Sequence, residues 1–169
     1  MLNLGDAAWG TILLMIPIGQ ICGMTISGLL ISRIGSKNIL PISLAGYVLA
    51  LLFVGISATE YALLISLIIF GFFGNFCNIS VNTQAVTLES AYNRPIMSSF
   101  HGGWSLAGLI GAAFGLLMSS LHIKPIYHFC AVGLIVLITL FINMKYLQAD
   151  LKREKDPNEQ AKKKRNKPE

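Results

Sequence analysis

The side chains that could take part in chemistry lie inside otherwise apolar stretches of this chain. Ser98, His101 and Ser105 are spaced by three and four residues, so they share one face of a helix. A hydroxyl beside an imidazole is the pair used in nucleophilic catalysis, but no glycine-serine-glycine elbow and no metal-ligand pair accompanies it. We therefore predict no catalytic residue and no metal site. Since histidine changes charge near neutral pH, His101 could bind and release a proton, or bond to a polar neighbour.

Side-chain amides form a second group. Asn75, Asn78 and Asn82 lie on one helical face by the same spacing, and Gln20 lies near the middle of the first apolar run. Beside Gln20, small residues at steps of four, Gly19, Gly23 and Ser27, predict a packed face on this span. An amide that faces lipid without a partner costs several kcal/mol, so these amides face a neighbouring helix or a wet cavity. The sequence leaves both alternatives open. Together with His101, we take Gln20, Asn75 and Asn78 as candidate residues for binding a small solute.

Charged side chains and turn glycines cluster where the apolar runs end. The residues of this group are Gly28, Arg33, Gly35, Lys37, Glu89 and Arg94. We predict that Glu89 pairs with Arg94 or with Arg33. An exposed ion pair contributes less than about 1 kcal/mol, so its importance would come from a contact that changes between conformational states.

The elements that position these side chains are apolar runs of membrane-crossing length. Of 169 residues, 54% are hydrophobic and 12% are charged, and the mean hydropathy is +0.64, which excludes an ordinary soluble domain. The charge-poor runs cover residues 7–31, 39–57, 61–83, 95–121 and 125–144. About 20 apolar residues in a helix cross the hydrocarbon of a bilayer. The sequence therefore predicts an all-α polytopic bundle of five transmembrane helices over residues 1–147.

The distribution of Lys and Arg predicts the orientation of the bundle. Cytoplasmic loops retain basic residues, and here they follow the first, third and fifth runs. The net charge of +5 is thus a topology signal, and we predict no nucleic-acid partner. The tail, residues 148–169, is predicted to be a basic, disordered cytoplasmic end or linker, because its composition cannot form a core. Five spans then put the N-terminus outside, and we expect an additional helix before Met1.

Cofactor signals are missing from the sequence. Cys22, Cys77 and Cys130 match neither a disulfide framework nor a zinc site. No glycine-rich run ends in Lys and Ser or Thr, as a phosphate-binding loop for a nucleotide would. We predict no cofactor, so the energy for any transport would come from an ion gradient.

The segment of residues 28–39, GLLISRIGSKNI, resembles the loop between helices two and three of the major facilitator superfamily. The family motif runs glycine, two residues, small, aspartate, basic, any, glycine, basic, basic. The residues that match are Gly28, Arg33, Gly35 and Lys37. Ser32 stands in place of the aspartate, and Ser36 replaces one basic residue. Because that aspartate helps to latch the two halves of the family's carriers, the resemblance implies an altered latch. It also implies a cytoplasmic gate, whose residues would be Gly28, Arg33, Gly35, Lys37, Glu89 and Arg94.

The segment of residues 82–112, NTQAVTLESAYNRPIMSSFHGGWSLAGLIGA, is the most specific piece. It resembles helices four and five of a bacterial branch that includes uncharacterised inner-membrane proteins and the rhizopine-associated membrane protein. The resemblance covers residues 4–147 and implies helices two to six of a twelve-helix carrier. It implies transport of a sugar-like or other small organic solute by alternating access across the bacterial inner membrane. A missing C-terminal half or a second membrane polypeptide would complete the carrier.

Two other functions are open. A non-transporting small membrane protein, or a truncated fragment, would act through helix association, for which Gly108, Gly111 and Gly115 offer a close-packing face on the fourth span. An intramembrane enzyme would need a nucleophile and a base at hydrogen-bonding distance, and the motifs favour it least.

Overall fold

Five long helices account for most of the residues that the structure describes. A computed structural model describes residues 6–92 and 94–150, with burial assigned from residue 9. The helices are α1 (Asp6–Ile34), α2 (Ser36–Ile56), α3 (Glu60–Tyr92), α4 (Met97–Ser120) and α5 (Pro125–Asn143), and a 3-10 turn (Met144–Tyr146) follows. Within the described residues, all five helices are long and apolar enough to cross a membrane. This confirms the predicted all-α bundle of five spans.

The structure differs from the predicted boundaries at two places, the end of α3 and the start of the tail. The third apolar run ends at residue 83, but α3 continues to Tyr92. Hydropathy marks only the segment that lies in hydrocarbon, whereas the backbone hydrogen bonds of a helix form in water as well. Residues 148–150 of the predicted disordered tail lie against the bundle, with Asp150 in contact with Ser36. Residues 151–169 lie outside the described residues, so disorder there stays a prediction.

The contact between α1 and α3 is a backbone-to-backbone approach of two parallel helices. A Cβ atom on Gly19 of α1 would overlap the carbonyl oxygen of Ile68, and one on Gly71 of α3 would overlap that of Ile16. Ser27, eight residues after Gly19 on the same face of α1, is fully buried. Membrane helices lack a hydrophobic drive to associate, so close van der Waals packing through small residues replaces it. The small-residue row predicted on α1 is confirmed as a packed face.

Helix α2 runs antiparallel to α3 and packs on the side of α3 that faces away from α1. It also packs on α5. The Tyr47 ring stacks on Phe70 with 4.3 Å between centroids. A Cβ atom on Gly133 of α5 would lie 2.8 Å from Cγ1 of Val48, so α2 and α5 also meet closely. The residues buried to 0–1% exposure include four serines, namely Ser27, Ser36, Ser43 and Ser80. The bundle is therefore joined by small and polar contacts more than by a large apolar core.

Helix α4 is held by its two terminal turns and packs little along its length. None of its residues is buried. Trp104, Leu109 and Leu116 are 69%, 69% and 73% exposed. Gly108 and Gly111 face open space, in contrast to the glycines of α1. An apolar helix exposed on all sides needs lipid or a further helix around it.

Candidate functional site

Two of the predicted binding residues lie at the α1–α3 contact. The Oδ1 atom of half-buried Asn75 accepts a hydrogen bond from Ser27 Oγ at 3.0 Å. Asn75 thus joins two helices, which is one of the alternatives that the sequence left open. Gln20 lies beside Gly71, since a Cβ atom built there would be 3.2 Å from the Gln20 backbone nitrogen. The Gln20 side chain is exposed and lies on the open side of this contact.

The other two asparagines form a pair on α3. Asn82 Nδ2 donates a hydrogen bond to Asn78 Oδ1 at 2.9 Å, and Asn78 is exposed. This bond leaves the N–H groups of Asn78 without a partner among the residues that the structure describes. Asn78 and Gln20 therefore both present amide groups that a hydroxylated solute could bind.

His101 lies at a different level from these amides. It is four residues into α4, about 6 Å by helical rise, whereas Asn78 lies about 21 Å before the end of α3. The turn between Tyr92 and Met97 joins the two helices at this end. His101 is exposed, and the hydroxyl of Ser105 donates to its backbone carbonyl at 3.1 Å. The structure thus places Gln20, Asn75 and Asn78 on the two packed helices α1 and α3, and it places His101 on α4, apart from them.

The turn between α1 and α2 depends on Gly35. Its φ of 88° and ψ of 147° lie in a region that is essentially restricted to glycine. Its N–H donates to Ile31 O at 2.9 Å, and its carbonyl accepts from Ile39 N at 3.2 Å, so one residue ends α1 and begins α2. Arg33 and Lys37 flank it and are exposed. Gly28, six residues before the end of α1, faces open space.

Glu89 forms a helix cap in this conformation. Its Oε2 atom accepts hydrogen bonds from the backbone N–H groups of Ile96 at 2.8 Å and Met97 at 2.7 Å, where α4 begins. A carboxylate satisfies the unpaired N–H groups there and interacts favourably with the helix dipole. Arg94 lies nearby, but within the described part of the chain the bonds of Glu89 go to backbone. Its pairing with Arg94 or with Arg33 stays a prediction.

A shallow pocket of about 340 Å³ lies beside this turn. Its lining residues are Val86, Glu89, Ser90, Arg94 and Pro95. The structure thus places two of the predicted gate residues, Glu89 and Arg94, around one opening. The same end of the bundle carries the turn at Gly35, because α1 and α3 are parallel and both end there.

We expect Glu89→Ala to lower the stability of the purified chain by about 1 kcal/mol, as the loss of a helix cap does. Thermal unfolding in detergent micelles would show a melting temperature lower by a few degrees. Glu89→Gln keeps one acceptor oxygen and should lose less. Ser90→Ala, an exposed neighbour, is the matched control. Equal melting temperatures for Glu89→Ala and the control would contradict the cap.

Comparison with known proteins identifies the family. The family model of the Major Facilitator Superfamily matches residues 2–169. The chain belongs to the major facilitator superfamily. Its relatives are named as transporters, and this facilitator chain is a multi-pass membrane protein of a transporter family and not an enzyme.

Two bacterial facilitators are similar to the chain. An uncharacterized MFS-type transporter of Yersinia pestis is 30% identical over 146 residues, which are 86% of this chain and 38% of that protein. An uncharacterized transporter of Sinorhizobium fredii is 28% identical over 127 residues, 75% of this chain and 34% of that protein. The chain thus spans less than two-fifths of the length of these facilitators. No solved structure matches it significantly.

One contact at the Gly35 turn of this facilitator was missed by sequence reasoning. The backbone N–H of Ser36 donates to a carboxylate oxygen of Asp150 at 2.6 Å, across 114 positions of the chain. No spacing rule connects residues so far apart. The one available signal was Ser36 itself, a serine at a motif position where the superfamily has a basic residue.

Proposed function

We propose that this chain forms most of the N-terminal half of an alternating-access carrier for a small, sugar-like or other organic solute. Transport is coupled to an ion gradient. The observation that carries the proposal is the group of amides on α1 and α3 of a transporter-family member. Gln20 and Asn78 are exposed on helices that cross hydrocarbon, where an unsatisfied amide costs several kcal/mol. They face a wet cavity in this proposal, and the solute binds there.

The depth of the amides supports a solute site. Gln20 is the midpoint of α1, and Asn75 and Asn78 lie about 5 Å and about 9 Å by helical rise from the midpoint of the third apolar run, residues 61–83. Facilitators bind their substrates near the bilayer midplane, between two halves that rock against each other. His101 lies near the start of α4 and does not contact the amides in this proposal. Its role is to bind and release the coupled proton.

The chain supplies one wall of this cavity. The part of the chain that matches its relatives covers less than two-fifths of their length, and α4 has no buried residue among those described. A C-terminal half or a second membrane polypeptide forms the opposite wall. The open glycines Gly108 and Gly111 let a helix of this wall approach α4 closely.

The basic end of the bundle is cytoplasmic in this proposal. Arg33, Lys37, Arg94 and Lys145 all lie at the end where α1, α3 and α5 finish, whereas the opposite end has Lys124. This asymmetry is typical of the cytoplasmic side of a bacterial inner-membrane protein. The tail therefore lies in the cytoplasm. The group of Gly28, Arg33, Gly35, Lys37, Glu89 and Arg94 forms the cytoplasmic gate, with Glu89 exchanging its α4 cap for an arginine as the gate changes state.

Uptake into liposomes tests the proposal. The chain alone, and the chain with the polypeptide encoded beside it, are reconstituted and assayed with a panel of labelled sugars and organic acids. We expect uptake only by the complete carrier, because one wall cannot enclose a solute. Asn78→Ala should reduce that uptake about tenfold, as expected for one lost hydrogen bond to a bound solute. Val81→Ala, an exposed neighbour on α3, is the matched control.

Three outcomes separate the parts of the proposal. Uptake by the chain alone would contradict the one-wall role. Failure of the complete carrier to take up any solute of the panel would contradict the substrate class. Equal uptake by Asn78→Ala and Val81→Ala would remove Asn78 from the binding site.

The open glycines of α4 also favour a second candidate, a non-transporting membrane protein that acts through helix association. A Cβ atom added at Gly108 or Gly111 would meet nothing within 4 Å. In this case, cross-linking in membranes would give dimers of the chain alone, and no neighbouring polypeptide would restore uptake. A monomer under the same conditions would exclude it.

A further inference from the structure

The chain that leaves α5 returns to the bundle and is clasped there. Gln84 of α3 holds the backbone of Gln148 at two points: its Nε2 donates to Gln148 O at 2.8 Å, and its Oε1 accepts from Gln148 N at 2.9 Å. Such a two-point pairing fixes the orientation of the bound backbone as well as its position. Residues 147–150, which we call the strap, therefore lie across α3 at Gln84, eight residues before the helix ends at Tyr92.

Asp150 ties the strap to α2. One of its carboxylate oxygens accepts the Ser36 backbone N–H at 2.6 Å, and the other accepts the Ser36 hydroxyl. Ser36 is the first residue of α2, whose own N-cap residue, Gly35, supplies no side-chain hydrogen bond. A carboxylate at a helix N-terminus satisfies unpaired N–H groups and is stabilised by the helix dipole. Asp150 is thus a cap delivered from 114 residues away.

The hydrogen-bond donors in this cluster are all used. Ser36 Oγ gives its proton to Asp150 and accepts one from Gln84 Nε2 at 2.7 Å. The second Nε2 proton of Gln84 goes to Gln148 O. Ser36 is 0% exposed, so the release of Asp150 would leave a buried backbone N–H and a buried hydroxyl with fewer partners. An unmade bond at a buried group costs more than a made bond gains.

The departures from the superfamily motif fit this cluster. Ser32 stands where the motif has its aspartate, and in the structure it donates only to Leu29 O within its own helix. Ser36 stands where the motif has a basic residue. Position 36 is fully buried between Asp150 and Gln84, so the longer side chain of Lys or Arg would have to displace one of these partners. The carboxylate at this turn instead comes from Asp150, and the small hydroxyl of Ser36 makes room for it.

We propose that Asp150 is a latch that fastens the strap to the N-terminus of α2 and to Gln84, so that the chain beyond α5 and the ends of α2 and α3 move as one unit. Opening the latch frees the strap and uncaps α2 in the same step. This proposal rests on the contacts of Ser36, Gln84 and Asp150 and does not depend on the transport function.

Limited proteolysis of the full chain in detergent micelles tests the latch. Trypsin cleavage after Lys152 requires the residues just before it, including Asp150, to leave the bundle and enter the protease. We expect Asp150→Ala and Gln84→Ala to speed this cleavage about tenfold, the effect of losing a charge-assisted hydrogen bond. Asp150→Asn keeps the size of the side chain but loses the charge, and it should lie between wild type and Asp150→Ala.

Gln148→Ala is the matched control. Its side chain donates only to Tyr146 O, whereas its contacts with Gln84 use backbone atoms, so the latch stays intact. Cleavage of this variant should stay within about twofold of wild type, since one exposed hydrogen bond changes. Equal cleavage of Asp150→Ala, Gln84→Ala and Gln148→Ala would overturn the latch.

A second measurement keeps the test independent of folding defects. In a chain with Cys22, Cys77 and Cys130 replaced by alanine, the pair Lys37→Cys and Ala149→Cys, exposed neighbours of Ser36 and Asp150 that leave the latch residues intact, should cross-link with a short bifunctional thiol reagent. The pair Ser120→Cys and Ala149→Cys, at opposite ends of the bundle, should not. No cross-link in the first pair, with a melting temperature near that of wild type, would also overturn the proposal.

Discussion

Replacement of Gly71 by leucine is expected to separate α1 from α3 and to destabilise the chain by about 3 kcal/mol or more. A Cβ atom at this position would overlap the carbonyl oxygen of Ile16, which belongs to the backbone of α1. A flexible side chain can move away, but a helix backbone can retreat only with its whole helix. Overpacking in a filled site costs about 1–3 kcal/mol and sometimes more. The further loss of contacts along α1, including the bond from Ser27 to Asn75, adds to this cost.

Unfolding of the purified chain in a detergent titration measures the effect. The same substitution in the open part of α4, Gly111→Leu, is the matched control, since a side chain there meets nothing within 4 Å. Gly71→Ala should also destabilise the chain, but less than Gly71→Leu does. If Gly71→Leu unfolds at the same detergent fraction as Gly111→Leu, α1 and α3 do not pack through these glycines.

The second large effect is expected from Gly111→Leu in the assembled carrier. The chain itself should fold normally, but a leucine on α4 would keep the backbone of an incoming helix from close approach. We expect recovery of the complex with the C-terminal half to fall at least about tenfold, as a loss of 1.4 kcal/mol or more in association requires. Co-purification from membranes, with a tag on the chain, measures the recovered partner.

Gly102→Leu is the control for this experiment. It lies nine residues from Gly111, which is about 180° around the helix, so it alters the opposite face of α4. Both glycines face open space in the structure. Unchanged recovery with Gly111→Leu would show that this face of α4 meets lipid, whereas loss with both variants would indicate that the partner surrounds the helix.

Substitution of Gly71 is expected to destabilise the fold of the chain itself, whereas substitution of Gly111 is expected to weaken its association with a partner. In the sequence, both positions are simply glycines in an apolar helix. Small residues at steps of four indicate that some backbone can approach, but not which one. At Gly71 the approaching backbone is that of α1 in the same chain. At Gly111 the described residues supply none, so the proposal assigns the position to a partner.

The number, type and approximate bounds of the helices could be predicted from the sequence, for a simple physical reason. A backbone N–H or C=O group without a partner is costly in hydrocarbon. An apolar run long enough to cross the bilayer therefore forms a helix, in which these groups pair with one another. The same constraint let the row of Gly19 and Ser27 be predicted as a packed face. Hydropathy does not describe helices beyond the hydrocarbon, and the end of α3 at Tyr92 was therefore missed.

The candidate site was only partly predictable. Helical spacing grouped Asn75, Asn78 and Asn82 correctly on one face, because that geometry is local. The partner of each amide was not local: Asn75 bonds to Ser27 across two helices, and Asn78 bonds to Asn82. His101 was grouped with these amides by residue type alone, and the helical rise places it at another level.

The sequence by itself determined that this protein is an all-α membrane bundle of five spans with its basic residues at one end, since the bilayer constrains each segment independently of the others. Only the tertiary structure decided what each polar group bonds to. Glu89 caps α4, and Asp150 reaches Ser36 from 114 positions away. Such partners depend on how the helices are arranged in space, and no periodicity within one segment contains that information.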